Sequence, residues 1–76
     1  MPNALALRIE ETLRPVIGTV LASVSVDVES KRLGKTPETI DRADLPKISE
    51  NLVQALRLVV GPDMASIAAR RILDLT

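Results

Sequence analysis

The chain is 76 residues long, enough for one small core and not for two. Apolar residues make up 46% of it, yet it has no aromatic side chain, no cysteine and no histidine. That composition predicts a folded globule and excludes a disulfide staple, a Cys/His zinc site and catalysis through a thiol or an imidazole. Ten basic residues cancel ten acidic ones, and they cancel within 1–34 and within 35–76 separately, so neither half is a basic arm suited to nucleic acid.

The opening MPNALALRIEETLRP lacks the basic start and long apolar run of a secretory signal. The longest nearly apolar stretch, 16–26, has 11 residues, short of the ~20 a membrane-spanning helix requires. A cytoplasmic protein without a membrane segment is expected. Asn3 is a good helix cap, and 4–14 sets Leu5, Ile9 and Leu13 on one side of a first helix. Pro15 disfavours helical geometry at Arg14, so it either kinks this helix or separates it from the next. Gly18 is a second possible break.

LASVSVDVES, residues 21–30, has two periodicities. Val24, Val26 and Val28 alternate as in a half-buried strand, but no second alternating segment exists to pair with it. Val16, Ile17, Val20, Leu21, Val24 and Val28 also span about 140° of a helix circumference, and a helix over 16–33 is expected with that stripe inward. Lys31 and Arg32 in its last turn, followed by Gly34, make a favourable helix end. KTPETIDRAD, 35–44, reads as a linker, with Asp44 the expected cap of the next helix and Pro46 in its first turn. The segment 45–60 is strongly periodic, with Leu45, Ile48, Leu52, Val53, Leu56, Val59 and Val60 on one face. Gly61-Pro62 stops that helix and starts another over 62–75, which places Met64, Ala65, Ala68, Ala69, Ile72 and Leu75 together.

Shifting the chain by 43 residues lays LRPVIGTVLASV (13–24) over LRLVVGPDMASI (56–67), with six of twelve positions identical, Gly18 and Gly61 among them. Upstream, Leu5 matches Ile48 and Ile9 matches Leu52. The fold expected is a single all-α domain of four helices, 1–76. It comprises a first helix–Gly–helix hairpin (3–34), a linker (35–44) and a similar second hairpin (45–76), with a pseudo-two-fold relation between the hairpins.

Some apolar residues lie off the faces so assigned: Leu7, Val26, Leu33, Leu58 and Ile67. Scattered surface apolar residues are ordinary, but here they predict an interface with a second copy or a partner protein, because the core is small and has no staple. The function expected is a non-enzymatic interaction module, self-associating, without cofactor or metal. Ser23, Ser25, Ser30, Ser49 and Ser66 have no base beside them in any motif. Glu38, Asp41 and Asp44 lack the alternating ligands and closing Glu of a calcium loop. The alternative is a small nucleic-acid-binding regulator using Arg70 and Arg71 with Arg57 or Lys47; a solvated flank near a helix C-terminus, where cations suit the dipole, is the better explanation of the arginine pair.

Overall fold

Three α-helices make up the computed structural model, which describes residues 1–75. They are α1 (Ala4–Arg32), α2 (Leu45–Val60) and α3 (Pro62–Leu73), with a 3₁₀ turn at Arg42–Asp44 leading into α2. The chain is all-helical as expected, with no strand among the described residues. Thr76, the last residue assigned to the second hairpin, lies outside them.

The helix count differs from the expected four. Residues 4–14 and 16–33 belong to one element, because Pro15 sits inside α1 and Arg14 stays helical. The departure from helical geometry falls at Gly18, with φ 84° and ψ 169°. That conformation is open to glycine and strained for any residue with a Cβ. Pro15 forfeits one N–H bond, but it lies in the last turn before the bend, so it interrupts no long ladder.

α1 is not straight. Its 29 residues would run about 43 Å as a rod, whereas the longest dimension of the molecule is 29 Å. Its two ends return to the same place. Asn3 donates its backbone N–H to the Pro37 carbonyl at 2.9 Å and its side-chain N–H to the carbonyls of Ile40 at 2.8 Å and Glu38 at 3.3 Å. All three acceptors lie in the linker beyond the other end of α1. The same side chain caps the helix as expected, Oδ1 accepting from the Ala6 N–H at 2.8 Å.

α2 leaves this linker and runs about 24 Å to Gly61. α3 returns antiparallel, so that Ser49 Oγ near the start of α2 donates to the Ala69 carbonyl late in α3 at 2.9 Å. Gly18 and Gly61 each consequently lie about one helix segment away from the linker. We term the region of these two glycines the corner end and that of the linker the linker end.

Ile9, Leu13, Val26, Leu45, Ile48, Leu52, Leu56 and Ile72 form the core, with Ala6, Ala22, Ala65 and Ala68 between them. The accessible surface is 4647 Å², against about 4,500 Å² for a compact monomer of this mass. The core thus closes on itself without a partner.

Two local expectations are corrected. The inward face of α1 after Gly18 is Ala22, Val26, Glu29 and Ser30, while Val20, Leu21, Val24 and Val28 face solvent. The outward face is wholly aliphatic, whereas the inward one pairs the small Ala22 and Val26 with Glu29 and Ser30. Asp44 has helical backbone geometry and makes no side-chain cap to α2. Asp41 does the capping three residues earlier: its Oδ1 accepts from the Ala43 N–H at 2.9 Å, and Asp44 Oδ2 accepts from the Asp41 N–H at 2.9 Å.

Candidate interaction surface

The corner end is built by two bends of matching backbone geometry. Gly61 has φ 87° and ψ 166°, within a few degrees of Gly18. Each bend exposes the residues flanking it, because a one-residue turn leaves no loop to fold over the helix ends. Val20 is 74% exposed, Leu21 51%, Leu58 92%, Val59 65% and Met64 45%. Val16, Ile17 and Val60 lie half-buried beneath them, packed on the core.

No charged residue occurs from Pro15 to Val26 or from Leu58 to Pro62. The end is therefore aliphatic across both bends, rimmed by Arg14, Arg57 and Asp63, all exposed.

Charge gathers at the linker end instead. Lys35 Nζ lies 2.8 Å from Asp44 Oδ2 and 3.6 Å from an Asp41 oxygen. The hydrogen bond from Lys35, helped by the one from the Asp41 N–H, holds the Asp44 carboxyl below its usual range. The same bond to Asp44 raises the Lys35 ammonium above its usual value.

The structure scatters the five residues expected at an interface. Leu58 lies at the corner end and is nearly fully exposed. Ile67, 48% exposed, is midway along α3, and Leu7, 40% exposed, is one turn from the linker end. Leu33 is half-buried against the core at the end of α1. Val26 is a correction: only 2% of it is exposed, because the stripe it shares with Ala22 faces inward. The surface residues that sequence patterning misplaced are Val20, Leu21, Val59 and Met64, all assigned to buried faces. The uncharged run around Gly18 is the signal that marks them, since a helix buried on one side ordinarily carries charge on the other.

Comparison with known proteins finds no matching family model, no matching curated protein and no matching solved structure. The surface must be read from its own chemistry.

Arg70 and Arg71 are both exposed but open onto different shallow grooves. Arg70 lines one with Glu50 and Asp74, and Arg71 lines another with Arg8 and Glu11. Arg57 stands near the corner end and Lys47 near the linker end, so these cations form no continuous basic face of the kind that captures phosphates. Ser30 and Ser49 are buried and donate to the carbonyls of Val26 at 2.7 Å and Ala69 at 2.9 Å, which ties them to packing. No helix among the described residues is long and apolar enough to cross a membrane. Among those residues, no three acidic side chains converge as metal ligands would.

Proposed function

We propose that this protein is a non-enzymatic interaction module that associates with a second copy of itself through the corner end. We also propose that its architecture is a duplicated helix–Gly–helix hairpin, closed into a four-helix unit with a pseudo-two-fold relation. The matching backbone angles at Gly18 and Gly61 support the duplication. So does burial, which recurs at the 43-residue offset: Ala6 with Ser49, Ile9 with Leu52, Leu13 with Leu56, Ala22 with Ala65, Val26 with Ala69 and Glu29 with Ile72.

The observation that carries the functional reading is the aliphatic, uncharged corner end on a molecule whose core is already closed. Covering Val20, Leu21, Leu58, Val59 and Met64 is worth about 1 kcal/mol for each side chain, or about 10 kcal/mol across two copies. Association costs roughly 4–15 kcal/mol. The balance favours a concentration-dependent dimer over an obligate one. A second copy fits because two corner ends meet with few like charges, and the chain carries no net charge to repel itself. A lipid surface fits less well, since neither aromatic anchors nor a lysine-rich rim is present.

Sedimentation equilibrium tests the reading. The wild type should show a monomer–dimer equilibrium in the micromolar to millimolar range. Leu58→Glu should weaken it at least ~10-fold while leaving the melting temperature unchanged, because Leu58 makes almost no packing contribution within the monomer. A strict monomer at about 1 mM would end the proposal.

A further inference from the structure

The two bends share their geometry but differ in the residue on their C-terminal side. Pro62 comes directly after Gly61. It has no N–H to donate and restricts the backbone of Gly61, so α2 and α3 cannot run on as one helix without heavy cost. Thr19 comes after Gly18 and imposes neither constraint. Pro15 costs a continuous helix nothing extra, because it already sits inside α1.

Straightening at Gly18 would also give the backbone about four more helical hydrogen bonds, made by the groups a helix end leaves unpaired. The first bend can open. The second is locked.

The side chains agree with this asymmetry. Val16, Ile17, Val20, Leu21 and Val24 form one aliphatic stripe only if the helix continues through Gly18 in unbroken phase. In the bent form Val20, Leu21 and Val24 from this stripe are exposed. The sequence therefore carries the register of a straight helix that the folded-back monomer leaves unused.

We propose that two copies exchange the first half of α1: it straightens at Gly18, and residues 4–17 of each chain take the place of the same segment in the other. A helix that runs on past the corner end leaves its own globule there and enters a second one placed end to end with it. Exchange therefore brings the two corner ends together and crosses the two α1 helices at Val16, Ile17, Val20 and Leu21. The proposal rests on the reading that a second copy covers the corner end. It adds that the copy is intertwined instead of docked, and exchange of an identical element is a low-cost route to a dimer.

The test uses substitutions at the two bends in the full chain. A Cβ at either glycine meets no atom within 4 Å, so alanine there reports on backbone angle alone. Gly18→Ala disfavours the bend and favours the straight helix. It should lower the dimer dissociation constant by about 100-fold, roughly tenfold for each of two hinges. Gly61→Ala should lower stability without promoting a dimer, because Pro62 still forbids the straight form. Thr19→Pro should hold the protein monomeric.

The exchange itself is read by electron–electron distance between nitroxides at Ala4→Cys and Lys31→Cys, in a chain with no other cysteine and diluted with unlabelled protein. The distance should lie well within the 29 Å length of the monomer when α1 is bent and rise to about 40 Å when it is straight. A Gly18→Ala variant that stays monomeric with a short distance overturns the exchange. So does one that loses helix content, which straightening preserves, or a Gly61→Ala variant that dimerises equally. If the wild type dimerises and Thr19→Pro neither weakens the dimer nor alters a short distance, docking stands and exchange falls. If neither the wild type nor Gly18→Ala associates, both fall.

Discussion

The half of the molecule before the linker and the half after it bury side chains at corresponding positions, yet they distribute polarity oppositely in their second helical segments. α3 buries Ala65, Ala68 and Ile72 and exposes Asp63, Arg70 and Arg71 together with Met64, Ile67 and Leu73. The matching stretch of α1 is inverted. It buries Glu29 and Ser30 while exposing Val20, Val24 and Val28, and at the offset Glu29 falls where Ile72 does, Val20 where Asp63 does and Val28 where Arg71 does. At those three positions α3 is patterned for a solvated monomer and α1 is not. The difference teaches that a shared backbone plan sets where burial occurs, while the side chains decide which segment is committed to the monomer.

The largest test of that comparison lies in the core the halves share. Leu13 and Leu56 are 0% and 3% exposed at matching positions. Truncation of either to alanine should cost about 2–5 kcal/mol, with the two values within about 1 kcal/mol of each other by urea denaturation. A difference of several kcal/mol would break the correspondence between the halves at its centre.

Next in size is the position where the halves disagree inside the core. Glu29 is 3% exposed, its Oε1 has no hydrogen-bond partner, and its nearest cation is Arg32 Nε at 3.8 Å. Burying a carboxylate oxygen without a partner costs roughly 1–3 kcal/mol, so Glu29→Leu should stabilise the monomer by about that much. A destabilised Glu29→Leu, measured by the same denaturation, would mean the site is shaped for the carboxylate and that the inversion of α1 serves the monomer after all.

The halves also start differently, and this is where sequence reasoning served best and worst. Asn3 was legible as a cap because a short polar side chain ahead of an apolar-periodic run has one obvious use. Its second role, clasping the carbonyls of Glu38 and Ile40, depends on α1 folding back and leaves no local mark. The limits of α2 and α3 were legible because Gly61-Pro62 is a backbone instruction, whatever the surroundings. The inward face of α1 after Gly18 was not, since Val20/Val24/Val28 and Ala22/Val26 are both valid stripes. The choice between them is made by which side packs closely in the assembled core. The same ambiguity misplaced most of the candidate surface, of which only Leu58 was anticipated.

Asn3→Ala removes the cap and the clasp together and should cost about 1–3 kcal/mol. Because no ionisable group takes part, the loss should be the same at pH 3 and pH 7. A pH-dependent loss would show that the start of α1 is held by something other than these neutral hydrogen bonds.

The smallest effect belongs to the corresponding start of the second half, where the clasp is charged. Asp44 accepts from Lys35 and from the Asp41 N–H, and its pKa is lowered from 3.8. A carboxyl that binds its proton less tightly when folded stabilises the fold above its unfolded pKa, and that contribution disappears as pH falls through the folded value. The Lys35 pKa is raised from 10.5, so its share is complete below that pH and is lost on the alkaline side as pH rises through the folded value. The pair thus acts between about pH 4 and pH 10. Asp44→Asn keeps an oxygen for the Asp41 N–H and discards only the charge. Its melting temperature should fall slightly below that of the wild type at pH 6 and converge with it as pH drops below 4. The Lys35 side chain is still 34% exposed, so solvent screens the pair and the expected gap is small. A gap that persists unchanged into acid would show that Asp44 acts through its shape in the turn, and the two halves would then begin in the same way, on neutral hydrogen bonds.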